Sequence, residues 1–384
     1  MNREFLFGFV RQEICGTKLS AEIKKGIDSD TLKALYIISK KFDIAPIFAR
    51  SVINSGICLE ADAEAVLNNE LMLSAYRYEN MEHELEAISK VLDDENIPYI
   101  PLKGAVIRGL YSEGWMRTSC DIDVLIMEED IERATKVLCE KLSYTTDGKA
   151  WYHDVSLYSE SGVHLELHFN IKENKDELDR LLSRAWEFAE VKSGYQYAFT
   201  NEFLIFYSIA HMAYHFLHGG CGIRPFIDLY LMESRLPYDA EGLSGLCRES
   251  EIEEFRNSIE KLVRVWLLGD AHDELTRDIE DYIFSGEIYG DIEVANIVAQ
   301  EKSGGKLRYF ANRIIQPYEL ISKRYPILKK YPCLTPYYQA KRWFDVLAEG
   351  KAKKARGELL DIVNSDSQKK KQIMDIINKV GLKP

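Results

Sequence analysis

Residues 97–126, IPYIPLKGAVIRGLYSEGWMRTSCDIDVLI, constrain the fold more than any other stretch of the chain. They read as a strand, a glycine turn into a short helix, a polar loop, and a second strand opening with two aspartates. Asp121 and Asp123 flank a single apolar residue, Ile122. Side chains at i and i+2 of a strand share a face, so both carboxylates converge on one spot. Carboxylates that close repel unless a cation lies between them. Hard oxygen donors of this kind suit Mg²⁺, which completes its shell with water and substrate phosphates.

The chain has 384 residues, enough for two domains and a sizeable core. With 46% apolar and 29% charged residues it is a folded protein rather than a disordered one. The net charge of −13 argues against general nucleic-acid binding through a basic surface. No run approaches the roughly 20 apolar residues of a membrane helix. The opening MNREFLFGFVRQEICG is interrupted by Arg11, Gln12 and Glu13 and reads as the first helix of the fold, not an export signal. Seven scattered cysteines with no CxxC pair fit reduced thiols in a cytoplasmic protein better than a disulfide framework or a zinc site.

The periodicities predict an α+β chain: a small mixed sheet with helices, flanked by N-terminal helices and a large helical C-terminal region. Three parts follow: residues 1–94 helical and packing on the core, 95–200 the α/β core, and 201–384 a helical C-terminal domain. In the first part Leu32, Leu35, Ile37, Ile38 and Phe42 recur at helical spacing, and Met81, Leu85, Ile88 and Leu92 form one stripe of a long helix. In the second, Tyr99–Leu102 and Ile122–Met127 are strands, and a helix from about Glu129 to Leu142 follows with Ile131, Ala134, Val137, Leu138 and Leu142 on its inner face. Residues 151–158 and 162–170 form a hairpin around a Ser-Glu-Ser-Gly turn. On its second strand Val163, Leu165, Leu167 and Phe169 face one side and His164, Glu166 and His168 the other. A His-Glu-His face makes sense as the wall of a polar cleft. Beyond about 175 the pattern is almost wholly helical: 175–190, an apolar helix Glu202–Leu217 ended by Gly219-Gly220, a helix over 224–235, and amphipathic helices to 380. The basic tail is expected to fray.

This order of elements resembles the polymerase-beta-like nucleotidyltransferase superfamily. The residues Lys103-Gly104 after a strand, Arg117 ahead of Asp121-Ile-Asp123, Glu166-x-His168 on a later strand, then His211, Arg224 and Asp228 resemble the family of uncharacterised nucleotidyltransferases within it, over roughly 60–235. The turn usual in the superfamily is Gly-Ser; here it is Lys103-Gly104-Ala105. The resemblance implies a Mg²⁺- or Mn²⁺-dependent transfer of a nucleoside monophosphate from an NTP to a hydroxyl or phosphate acceptor. Asp121, Asp123 and Glu166 would be catalytic and hold the metal, while Lys103, Gly104, Arg117, His168, His211, Arg224 and Asp228 would bind the nucleotide. The acceptor stays open, a protein side chain included.

Each residue also has a plainer reading. On it, Lys103 caps a turn at the surface, Gly104 supplies a positive φ, and Arg117 pairs with Asp121 or Glu113. His211 and His215 stand at i, i+4, but without the acidic residue of an HExxH helix they read as core or cleft-wall histidines. Arg224 and Asp228 are also i, i+4 and positioned to pair. Two further functions compete: a non-catalytic nucleotide sensor or scaffold on the same fold, suggested by the missing turn serine, and a phosphotransferase moving the γ-phosphoryl group.

Overall fold

The computed structural model describes residues 3–150, 153–173, 175–286, 292–302, 308, 315–318, 321–322, 325–348 and 367–383. Trp151 and Tyr152, expected at the start of the hairpin, and residues 366 and 384 of the basic tail lie outside these. The architecture is α+β, with one seven-stranded mixed sheet carrying helices from both ends of the chain.

Five helices precede the sheet: α1 (Arg3–Cys15), α2 (Ala21–Gly26), α3 (Ser29–Lys41), α4 (Ala45–Asn54) and the 34-residue α5 (Ala61–Asp94). Ser20 and Asp28 cap α2 and α3 by accepting from the backbone N–H of Ile23 and Thr31. The strand β1 (Tyr99–Pro101) leads into the one-turn helix α6 (Lys103–Ile107), and β2 (Asp121–Ile126) into α7 (Ile131–Leu142). Then come β3 (Thr145–Ala150), β4 (Asp154–Tyr158), β5 (His164–His168), α8 (Asp176–Leu182), β6 (Ala189–Ser193) and β7 (Gln196–Phe199). The apolar α9 (Asn201–Leu217) and α10 (Arg224–Arg235) follow, then α11 (Ala240–Glu249), α12 (Glu253–Val263) and α13 (Glu274–Ser285).

The strand order is β3-β4-β5-β2-β1-β7-β6. The pairs β2–β5 and β1–β7 are parallel and the remainder antiparallel. One face of the sheet is closed by α5 and α7: Ile88 and Leu92, with Ala134 and Leu138, bury Ile122, Val124, Leu165 and Leu167. Leu125 and Ile100 point the other way, into a second core that joins the N-terminal helices to α9, α10, α12 and α13 through Phe9, Phe48, Phe203, Phe206, Phe226 and Trp266. Period-2 alternation therefore sends Asp121, Asp123, Glu166 and their neighbours to the face that looks toward α9.

Several expectations need correction. Residues 175–190 do not form one helix; α8 ends at Leu182, and the chain turns into the edge hairpin β6–β7 around Gly194, whose φ is +53°. Strand β3 was not anticipated, because its Thr-Thr-Asp-Gly sequence has no strand alternation and pairs only at a sheet edge. Ile37 lies outside the buried stripe of α3, at 67% exposure. Within the described residues the tail does not fray: Ile373, Ile376, Ile377, Val380 and Leu382 are buried in the second core. No helix among the described residues is long and apolar enough to cross a membrane.

Candidate active site

The parallel register of β2 and β5 sets Asp123 opposite Glu166 and Asp121 opposite His164. Asp123, Glu166 and His168 offer ligand atoms within 4.8 Å of one another, and so do Asp121, His164 and Glu166. The two groupings share Glu166. His168 Nε2 lies 2.9 Å from Asp123 Oδ1 and 3.4 Å from Glu166 Oε2. The His168 ring stacks on that of His153 at 5.7 Å. Burial works against a charged His168, but its contacts with Asp123 and Glu166 carry its pKa up to about 9, so a protonated imidazole offsets part of the carboxylate charge at neutral pH. The two aspartates diverge. Burial, then the charges of Asp123 and Glu166, push Asp121 up. Burial also opposes ionisation of Asp123, yet the hydrogen bond from His168 holds it below the usual range.

Three carboxylates from two paired strands, flanked by imidazoles, fit a divalent cation. The oxygen donors suit a hard cation such as Mg²⁺, and the adjacent His164 imidazole would also be accepted by Mn²⁺, while the protonated His168 orients Asp123 and does not ligate.

Lys103 and Gly104 are the first residues of α6, directly above β2, whose Asp123 carbonyl accepts the Leu102 N–H at 2.9 Å. Lys103 is half-buried and lines the cleft instead of capping a turn at the surface. Burial pushes its pKa down to about 8, with Glu173, Asp123 and Asp121 opposing, and its ammonium lies 4.4 Å from the centre of the Tyr207 ring. Gly104 does not take a positive φ. Its value is in close approach: a Cβ there would lie 3.1 Å from Ser119 Oγ and 3.3 Å from Arg117 Nη1. The hydroxyl absent from the turn sequence thus stands beside it in space, on Ser119, which donates to the Asp121 carbonyl at 2.9 Å.

Arg117 pairs neither with Asp121 nor with Glu113. It makes a buried two-pronged contact with Asp228, Nη2 to Oδ2 at 2.8 Å and Nε to Oδ1 at 3.0 Å, and Tyr111 donates its hydroxyl to the same Asp228 Oδ1 at 2.7 Å. The i, i+4 pairing of Arg224 with Asp228 is replaced accordingly: Arg224 binds the Thr118 carbonyl at 2.8 Å and Asp43 at 3.3 Å. Its Nε is buried with no hydrogen-bond partner among the described residues.

His211 and His215, one turn apart on α9, line the same cleft. His211 Nδ1 is 2.7 Å from Glu173 Oε1, and His215 Nε2 is 2.9 Å from His211 Nε2. Burial, followed by the Lys103 charge, lowers His211; burial, His211 and Lys103 lower His215 to about 3. Both rings are therefore neutral at pH 7. His211 Nδ1–H donates to Glu173, leaving its Nε2 to accept from His215 Nε2–H. Burial opposes the Glu173 charge, but His211 and Lys103 hold the carboxylate down at about 2.

The cleft that collects these groups has a volume of about 580 Å³. Of the residues singled out in the sequence it is lined by all except His164 and Asp228, the latter lying behind Arg117. Glu173, Tyr207, Ser119, His153 and Asp43 were not foreseen. Glu173 sits in the irregular segment between β5 and α8, where no periodicity marks an inward side chain, and Tyr207 lies within an apolar helix, where it reads as core. A larger cavity of about 760 Å³ beside α13 is walled by Asp278, Asp281 and Asp375. Among the described residues it holds no carboxylate–imidazole grouping at ligand distance, so the chemistry belongs to the cleft.

A family model described as an uncharacterised nucleotidyltransferase matches residues 28–267. The match runs from the start of α3, through the whole sheet, past α10 and α12, and so covers both walls of the cleft. No curated protein and no solved structure matches the chain.

Proposed function

The chain belongs to the family of uncharacterised nucleotidyltransferases, and from that premise we propose that it transfers a nucleoside monophosphate from an NTP to a hydroxyl or phosphate acceptor with the help of Mg²⁺ or Mn²⁺. The observation that carries this reading is the register of β2 on β5, which brings Glu166 to ligand distance of Asp121 in one grouping and of Asp123 in a second. When bound, the cation would neutralise triphosphate charge and polarise the α-phosphate toward attack. The chain's own groups bind, orient and balance charge, which is most of what phosphoryl-group transfer asks of a protein.

In this reading Asp121 and Asp123 hold the cation from one strand and Glu166 from the next. His168 fixes Asp123 by a 2.9 Å hydrogen bond. Lys103 places a positive charge at the mouth of α6, beside the carboxylates, with Tyr207 beneath it and Glu173 opposing its loss of charge. Gly104 lets a phosphate approach the backbone where a side chain would intrude. Arg117, already spent on Asp228, positions the loop 117–120 instead of clamping a phosphate alone. Arg224 and His211 complete the far wall, and Ser119 stands beside Gly104 with its hydroxyl on the Asp121 carbonyl. Incubating α-labelled NTPs with Mg²⁺ or Mn²⁺ and candidate acceptors tests the reading: pyrophosphate release by wild type, lost in Asp121→Asn/Asp123→Asn, supports it, while release of nucleoside diphosphate instead would make the protein a γ-phosphotransferase.

A further inference from the structure

A smaller chamber of about 140 Å³ adjoins the cleft. Arg117, Ser119, Cys120 and Arg224 line both spaces, and Ser119 Oγ is 3.2 Å from Asp121 Oδ1. The chamber therefore ends beside the carboxylate cluster. Its other walls are the α3–α4 turn and one face of α5. Measured alike, it has about a quarter of the 580 Å³ of the cleft, so the nucleotide belongs in the cleft and something smaller belongs here.

The charge of the chamber is one-sided. Lys40, Arg77, Arg108, Arg117 and Arg224 line it against Asp43 and Glu70. Four of these cations are already matched: Lys40 by Glu70, Arg108 by Glu82, Arg117 by Asp228 and Arg224 by Asp43. Arg77, on the exposed side of α5, has no ion-pair or hydrogen-bond partner among the described residues. The buried Nε of Arg224 is likewise an unused donor. The Tyr78 ring adds a flat wall, wedged against Gly114 so closely that a Cβ on that glycine would lie 2.5 Å from it. The chamber thus offers one uncompensated positive charge and an aromatic face, with the Arg224 guanidinium on the wall it shares with the cleft.

Resting on the nucleotidyl-transfer reading, we infer that this chamber is the acceptor site and that the acceptor is a small anion, a phosphate or carboxylate ester or acid of a hydroxylated compound. Its charged group is held by Arg77 and Arg224, and its reacting oxygen reaches the cleft past Ser119. That oxygen forms the new bond to the α-phosphorus. The bond from the α-phosphorus to the α,β-bridging oxygen breaks, pyrophosphate leaves with the electron pair, and the proton of an attacking hydroxyl passes to water in the open cleft.

The full-length protein is first saturated with Mn²⁺ and the non-hydrolysable α,β-methylene ATP. It is then titrated calorimetrically with glycerol 3-phosphate, glycerate and glycerol. The inference expects an anionic probe to bind at least about tenfold more tightly than glycerol, as one charge-assisted contact provides. The two anions tell a phosphate from a carboxylate acceptor. Arg77→Ala should lose that preference and Arg77→Lys retain part of it, with the melting temperature unchanged in both because Arg77 is exposed. Equal binding of glycerol and the anions, no binding of either anion, or an unchanged preference in Arg77→Ala overturns the inference. Failure of the nucleotide analogue itself to bind would instead overturn the reading beneath it.

Discussion

Arg117 and Asp228, 111 positions apart, face each other at 2.8 Å with both side chains about 7% exposed. This contact joins the loop that leads into the Asp121–Asp123 strand to the first turns of α10, so the cleft is assembled from segments on either side of the sheet in sequence. Tyr111 shares the Asp228 carboxylate. Removing one partner of a buried pair leaves the other charge without compensation, at a cost of roughly 3–5 kcal/mol. Asp228→Ala and Arg117→Ala should each lower the urea-unfolding free energy by about that amount. Arg117→Met/Asp228→Leu/Tyr111→Phe should recover much of it, because no buried polar group is then left unpaired, yet should leave loop 117–120 misplaced and transfer impaired. A triple variant as active as wild type would mean that the contact serves stability alone.

Gly104 and Gly109 lie five residues apart and should respond oppositely to alanine. A Cβ at Gly104 would meet Ser119 Oγ at 3.1 Å and Arg117 Nη1 at 3.3 Å, whereas one at Gly109 meets nothing within 4 Å. Gly104→Ala should cost about 1–3 kcal/mol through overpacking and weaken nucleotide binding. Gly109→Ala should be neutral or stabilise by up to about 1 kcal/mol, because the unfolded chain loses freedom. Thermal denaturation of the two variants, side by side, checks both signs.

These elements were not equally legible in the sequence. The shared face of Asp121 and Asp123 follows from strand period, since i, i+2 spacing fixes it whatever the tertiary fold; that Glu166 joins them was implied only by the family resemblance, because it depends on the β2–β5 register. Lys103 was legible through its place between strand and helix. The Arg117–Asp228 contact was not, because nothing local distinguishes it from the i, i+4 pairing of Arg224 with Asp228. Glu173 was missed in an irregular segment and Tyr207 inside an apolar helix, where burial and cleft-lining look alike. Strands β3 and β6 escaped because edge strands rely on their neighbour's backbone more than on side-chain alternation.

Glu173 compensates Lys103 and orients His211. Glu173→Gln removes the charge that opposes the burial of Lys103, so the Lys103 pKa should fall further below its present value near 8. Nucleotide affinity should then decline as pH is raised from 6 to 8 more steeply in the variant than in wild type, as calorimetry over that range would record. Parallel slopes would show that Lys103 takes its charge balance from elsewhere.

A second acidic pair lies far from the cleft. Burial and the neighbouring Glu260 push Glu233 up to about 8, despite Arg256. The folded state therefore binds a proton more tightly than the unfolded chain, whose glutamates titrate near about 4.3. This contribution to stability is fully present below the unfolded pKa and is lost as pH rises through about 8. Glu233→Gln, neutral throughout, should match wild type at pH 3.5 and be more stable at pH 9. A gap between the two that does not widen with pH would remove Glu233 as the source.

The central claim is that the carboxylates of β2 and β5 hold a cation–nucleotide complex. Calorimetric titration of the full-length protein with α,β-methylene ATP in the presence of Mn²⁺ tests it most directly, repeated with Asp121→Asn/Asp123→Asn. The account predicts saturable, Mn²⁺-dependent binding to wild type and a loss of at least about tenfold in the variant, the scale on which disturbed metal sites lose affinity. Wild type that binds no nucleotide with either Mn²⁺ or Mg²⁺, or a variant that binds as well as wild type, would contradict it.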